Sequence, residues 1–238
     1  MSTIIDNLPF LLEGLQVTLV VSVLSFALAV VASFALGIGR GWGPRPIRAL
    51  CAVVVEFFRG SSALVQLFWA FYVLPQIGIT LPPLVIGVIV LGLNEAAYAS
   101  EIVRGGMKSI PKGQYDAARV LGLSPLDTWR RVILPQAGPI LVPPFGNIAV
   151  AQIKFTSLLS LIAVHDLTSR AGQLRFETGE SVLIYGFVLI VYFLITLVTS
   201  YGFRLLERKV ALPGMRQQGS RPPLIPTILS GRRGGDRK

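Results

Sequence analysis

The sequence predicts an all-α integral membrane protein with about five transmembrane helices. Three observations carry this expectation. The 238-residue chain is 53% hydrophobic and only 14% charged, far more apolar than an ordinary soluble domain. Its uncharged runs are long enough for helices that cross a bilayer: residues 14–39, 132–153 and 181–203 suit one span each, and 60–94 suits two. Finally, 19 of the 22 Lys and Arg residues fall in 40–59, 104–131 and the tail from 204, which share one face in a five-span topology. The +10 charge therefore reads as cytoplasmic loops under the positive-inside rule, not as a nucleic-acid surface. The N-terminus, with Asp6 and Glu13, and the 165–180 loop are expected outside, and the C-terminus in the cytoplasm.

Residues 1–12 read as a short outer segment, a helix lying in the interface. The first span carries Gln16, Thr18, Ser22, Ser25 and Ser33, and this density of small and hydroxyl groups suits packing against other helices. A Gly- and Pro-rich turn at 39–46 presents Trp42 as an interface anchor. Residues 47–58 are apolar enough to dip into the membrane. Glu56 and Arg59 end that segment at i, i+3, either as a local ion pair or as part of a gate or subunit contact. Pro75, Pro82 and Pro83 divide 60–94 into two spans with a tight turn. The second of these brings Glu95 close to the bilayer midplane, where a carboxylate is costly and marks a functional site by default. The alternative is a buried pair with Lys154 or with a second subunit. Glu101 and Arg104 repeat the i, i+3 spacing as the span ends.

Residues 111–137 form a long polar segment between apolar runs and read as two short helices joined at a glycine. Pro111 suits a first helical position. Gly122 permits the left-handed geometry that stops a helix. Ser124, Pro125 and Asp127 then supply an N-cap, a proline at N1 and an acid at N3, which together make a capping box. The second helix is expected to break at Pro135. Such a pair fits a partner's groove; the competing reading rests it on anionic headgroups through Arg119, Arg130 and Arg131. Pro139, Pro143, Pro144 and Gly146 are expected to break the fourth span. Asn147, Gln152, Lys154, Thr156 and Ser157 make that span the most polar and the candidate wall of a translocation path. Lys154 faces a carboxylate there or snorkels to an interface. Residues 164–180 suit a short outer helix, and the last span suits lipid and a partner subunit. Residues 1–212 then form the membrane domain and 213–238 a disordered basic cytoplasmic tail.

Asp116-Ala117-Ala118, three residues, Gly122, nine residues and Val132-Ile133-Leu134-Pro135 resemble the EAA loop of ATP-binding-cassette importer permeases. Asp116 stands for the usual Glu and Val132 for the usual Ile. Glu95-Ala96-Ala97 spells the same triplet but lacks the glycine and the Leu-Pro at the right spacing. Residues 56–60, 65–68, 97–106, 112–114, 134–137 and 154–158 extend the resemblance, over roughly residues 10–210, to the polar-amino-acid branch of binding-protein-dependent transport permeases. Phe155 departs from the Asp usual in that branch, and Ser61-Ser62 from a frequent Thr-Pro. The resemblance implies a MetI-like permease fold in a bacterial plasma (inner) membrane. It implies that Gln114, Asp116, Ala117, Ala118, Gly122, Leu123 and Pro135 dock a dimeric ABC ATPase, which binds the ATP and magnesium. A second permease subunit, identical or paralogous, would complete the pathway. A periplasmic or extracellular solute-binding protein would deliver an amino acid or a related polar or zwitterionic solute, such as a compatible solute or opine-like compound.

The chain has no Gly-x-x-x-x-Gly-Lys-Ser/Thr loop, so energy is expected from another polypeptide and the chain is not expected to be an enzyme. Cys51 is the single cysteine, which excludes an internal disulfide and a cysteine metal cluster. His165 is the one histidine and has no serine motif to act with, so neither a catalytic residue nor a metal site is expected. An ion-coupled secondary transporter working through Glu95, or an intramembrane enzyme, is the alternative reading.

Overall fold

The computed structural model describes residues 2–210, so the expected tail at 213–238 lies outside the described residues. A short α1 (Ser2–Asp6) leads into α2 (Leu8–Trp42). At 1.5 Å per residue, the 35 residues of α2 reach about 52 Å, well past the hydrocarbon thickness. The expected interfacial segment is therefore divided between α1 and the first turn of α2. Next come α3 (Arg45–Gly60) and α4 (Ala63–Phe68), which continues through a π turn (Trp69–Val73) and a 3-10 turn (Leu74–Ile77). The two halves meet at 103°. The expected second span is thus a short, irregular helix, about 22 Å over its 15 residues. It stops at Gly78, whose φ of 87° is left-handed.

Pro82 and Pro83 open α5 (Pro83–Lys108), where the missing amide costs nothing. The polar segment folds as α6 (Lys112–Val120) and α7 (Pro125–Asp127). A π turn (Thr128–Ile133) then joins α7 to α8 (Leu134–Phe155), and a 3-10 turn (Thr156–Ile162) ends the run. Finally α9 (Leu167–Thr178) precedes α10 (Ser181–Val210).

Two expectations fail in α8. The helix does not break at Pro135, and Pro139, Pro143, Pro144 and Gly146 do not interrupt it: 125–162 runs as one 38-residue helical span. Pro135, Pro139 and Pro143 are four residues apart, so their missing donors lie along one stripe, while Ala137, Leu141, Phe145 and Ala149 bury the other face. The π turn before Pro135 pairs Leu134 N–H with the Trp129 carbonyl, five residues back, and so makes room for the first ring. Lost bonds confined to the less buried side bend a helix without ending it while the opposite face stays packed.

The tightest packing is the seam between α2 and α5. On α2, Gly14, Thr18, Ser22, Ser25, Ser33 and Gly37 recur three, four or eight residues apart and are buried. The hydroxyls satisfy themselves on their own helix: Thr18 donates to the Gly14 carbonyl at 3.1 Å and Ser22 to the Thr18 carbonyl at 2.7 Å. Gln16 does not join this stripe; it is exposed. The approach is close enough that a Cβ on Gly37 would stand 2.8 Å from the Ser100 carbonyl oxygen.

The charged ends of α2, α3 and α5 gather at one end of the bundle, here the basic end. At the opposite end α9 is strapped to α2 and α10. Leu167 and Leu174 pack on Leu11, Ile184 and Val188. Asp166 caps α9 by accepting the Thr168 and Ser169 amides at 3.2 and 3.0 Å, and Arg170 pairs with Glu13 at 3.0 Å. Beyond Val188, most of α10 faces outward.

Gly37→Leu is expected to lower the stability of the detergent-solubilised protein by about 1–3 kcal/mol through overpacking. Gly105→Ala, whose added methyl meets nothing within 4 Å, should be neutral or stabilising in the same unfolding assay. A pH series tests the α9 cap. Burial holds the Asp166 carboxyl above its ordinary value, against the amides that lower it. The folded state thus binds the proton more tightly than the unfolded chain, and stability should fall as pH rises from about 4 through the folded value. Asp166→Asn keeps a cap and should flatten that dependence, whereas Asp166→Ala loses the cap at every pH.

Candidate functional site

The expected docking segment is a capped turn held away from the bundle. Pro111 is the extended N-cap of α6, one residue earlier than expected, and α6 begins at Lys112. At the other end Gly122 takes φ 70°. Leu123 N–H donates to the Ala118 carbonyl at 3.1 Å and Gly122 N–H to the Arg119 carbonyl at 2.9 Å, the paired bonds of a Schellman stop. Ser124 then accepts the Asp127 amide at 3.1 Å, and its hydroxyl donates to the Asp127 carboxylate at 2.7 Å. That carboxylate also holds Arg131 at 3.1 Å, so the capping box closes through side chains.

Gln114, Asp116 and Ala117 are exposed on α6, whereas Ala118 is buried at 2% exposure. Ala118 and the half-buried Leu123 face back toward the bundle, and Pro135 lies inside the long helix. Gln136 donates to Gln114 at 3.1 Å and ties α8 to α6. Sequence reasoning missed the apolar tip: Val120, Leu121 and Leu126 are 88%, 77% and 76% exposed around Gly122. Their signal was aliphatic residues at a glycine stop that no helical periodicity requires.

The two i, i+3 pairs are one network. Glu101 meets Arg104, and Arg59 stands 4.0 Å from both Glu56 and Glu101. Arg40, which the sequence reading passed over, bonds to Glu101 and reaches Glu56 at 3.0 Å. It ties the end of α2 to α3 and α5.

A cleft of about 580 Å³ opens beside the bend between α3 and α4. Ser61, Ser62, Asn94, Glu95, Ile148 and Phe155 are among its walls. Glu95 is 4% exposed and makes no ion pair among the described residues; the expected pair with Lys154 is absent there. Of the six residues read as pathway wall, Glu95 alone lines this cleft. Gln152 is buried toward α2 and donates to Ser25 at 2.6 Å, and Thr156 is buried with its hydroxyl on the Ile153 carbonyl. Asn147 and Lys154 share an exposed flank seven residues apart, and Ser157 donates to the Lys154 carbonyl. The helical period turns the polar residues of α8 to several faces, which a count of polar residues does not reveal.

The bend itself is held by amides. Asn94 donates to the Phe58 carbonyl and to Gln66 Oε1, both at 3.1 Å. Gln66 in turn donates to the Phe58 carbonyl at 3.1 Å and to Ser61 Oγ at 2.7 Å. Gln66 and Asn94 thereby fix the helix end that forms one lip of the cleft.

Residues 29–212 match the family described as binding-protein-dependent transport system inner membrane component. A probable amino-acid ABC transporter permease of Sinorhizobium fredii, y4tF, is 43% identical over 211 residues, covering 86% of this chain and 89% of its own. The glutamine transport system permease GlnP of Escherichia coli is 35% identical, over 89% of this chain and 97% of its own. The crystal structure of an amino acid ABC transporter with histidines superposes with a TM-score of 0.79 at 30% identity, covering 87% of this chain and 96% of that one. An inward-facing MetNI methionine ABC transporter superposes at 0.73 with 18% identity, over 87% of this chain and 99% of that one, and shows the shared fold.

Substituting Gln66 or Asn94 by Ala is expected to destabilise the bend. In a double-mutant cycle on the solubilised protein, the double variant should lose less than the sum by about 0.5–3 kcal/mol. Strict additivity would mean that the two amides act independently.

Proposed function

The chain belongs to the binding-protein-dependent transport system inner membrane component family, and we propose that it is the membrane subunit of an ATP-driven importer of amino acids or related zwitterions. The relatives are permease subunits, which leaves the ion-coupled and enzymatic alternatives without support. The docking loop presents Gln114, Asp116, Ala117 and the apolar tip around Gly122 to a cytoplasmic ATPase, which binds ATP and magnesium. A second permease subunit, identical or paralogous, faces the cleft that holds Glu95, and a solute-binding protein delivers the ligand at the opposite end. The concentration of Lys and Arg at the docking-loop end supports a cytoplasmic loop and C-terminus, with the N-terminus outside.

Glu95 supplies a carboxylate for the ammonium group that every such ligand carries. Phe155 on the same wall offers an aromatic face where the family branch usually has a second acid. A single wall carboxylate suits a net-neutral zwitterion better than a cationic amino acid.

The exposed Val120, Leu121 and Leu126 carry the docking reading. Large aliphatic chains around a rigid glycine stop, outside the spans, suit insertion into a protein groove. No atom lies within 4 Å of a Cβ added at Gly122, so the isolated chain feels only the cost of the left-handed backbone, about 1–2 kcal/mol. Gly122→Asp is therefore expected to leave the permease folded and inserted while it loses ATPase co-purification and ATP-driven uptake in proteoliposomes. Leu121→Asp should do the same. Full uptake by both variants would remove the loop from coupling.

A further inference from the structure

A second cleft, of about 470 Å³, separates α6 and the start of the long 125–162 helix from the last turns of α2 and α5. It lies at the basic end, at the level of the interface residue Trp42 and apart from the cleft that holds Glu95. Its walls are apolar and aromatic. Met107 and Ile110 belong to the buried core, and the Trp42 and Trp129 rings meet edge to face at 5.0 Å, which fixes that side. Tyr115 also lines the cleft, but its hydroxyl is committed to the Met107 carbonyl at 3.3 Å.

The rim is cationic. Lys108, Lys112 and Arg119 all line the opening and are exposed, and none makes an ion pair among the described residues. Asp116 is the one acid of the lining and lies beyond ion-pair reach of all three, so three cations against one carboxylate leave a charge of +2. Elsewhere at this end Arg40, Arg59, Arg104 and Arg131 make ion pairs with Glu56, Glu101 or Asp127, and the other unpaired cations, such as Arg45 and Arg130, do not line this cleft. Three like charges left unpaired around one concavity repel each other and favour an anionic occupant.

We propose that this cleft binds the headgroup of an anionic phospholipid of the same leaflet. The phosphate lies among Lys108, Lys112 and Arg119, and the glycerol and first methylenes lie against Trp42, Leu123 and Trp129. A free anion uses the charge alone, whereas a lipid uses both the charge and the apolar side. An amino acid ammonium is excluded by the net positive rim. One wall belongs to α5 and the other to α6, so a bound lipid bridges the docking helix to the spans. This inference rests on the cleft alone and stands whether or not the transport reading holds.

The test is native mass spectrometry of the complete assembly purified from its membrane, exchanged into detergent and titrated with phosphatidylglycerol, with phosphatidylcholine, or with glycerol 3-phosphate as the headgroup alone. Wild type is expected to retain phosphatidylglycerol over phosphatidylcholine. The triple variant K108Q/K112Q/R119Q should bind phosphatidylglycerol at least about tenfold more weakly. Arg130→Gln, a neighbouring exposed cation outside the cleft, should not change it. If the triple variant fails to assemble, the single changes Lys112→Gln and Arg119→Gln carry the same readout, each with a several-fold loss. Equal retention of both lipids, or unchanged retention in the variants, would overturn the proposal. Displacement of the lipid by glycerol 3-phosphate at comparable concentration would assign the site to a soluble anion instead. Retention by the permease alone but not by the assembly would give the cleft to a side chain of the partner.

Discussion

The structure depends on the close approach of α2 and α5. Helices in a bilayer gain little from hiding apolar surface from one another, because lipid is as apolar as they are. What holds them is contact density, and that requires side chains small enough for the backbones to meet. Ser22, Ser25 and Ser33 meet this need while bonding back to their own helix, and Thr18 does the same where α2 meets α9, so none of these hydroxyls is unpaired. With α2 and α5 fixed, Arg40 and Glu101 come together at one end, and Asn94 and Glu95 are held at the bend between α3 and α4.

Polar side chains within the spans divide by what they face. Gln152 meets Ser25 across a helix contact, though its Oε1 remains without a partner. Gln66 and Asn94 meet each other and two backbone carbonyls, and so hold a bend that no regular helix would make. Glu95, one residue from Asn94, has neither kind of partner and faces an open cleft. A buried charge left without a partner is expensive, which is the reason Glu95 is proposed as the carboxyl that meets the ligand.

The continuous helix from 125 to 162 connects the two candidate sites. It begins at the Ser124 cap and ends past Ile148 and Phe155, which wall the Glu95 cleft. Its 38 residues reach about 57 Å. The π turn at 128–133 and the stripe of prolines are the local irregularities along it, and packing on α5 and α10 supports it.

Class and the docking turn were legible in the sequence because each rests on local or one-dimensional signals. Uncharged run length, clustered Lys and Arg, the glycine stop and the Ser-Pro-x-Asp cap need no knowledge of neighbours, and the structure bears out the glycine stop and the cap. The failed expectations involve partners distant in the chain. Proline was read as a break at 135, 139, 143 and 144, yet a continuous helix resulted, because the lost hydrogen bonds fall on one side while the opposite face packs on other helices. Glu56–Arg59 and Glu101–Arg104 look like separate pairs until α2 brings Arg40 between them. Gln152 and Lys154, two residues apart, read as one wall; the helical period turns one into the α2 contact and leaves the other exposed. Sequence alone therefore determined the membrane class and the glycine-stopped, serine-capped turn. Tertiary structure decided which charges meet and which carboxylate remains alone, because both depend on helix faces and on approaches between residues far apart in the chain.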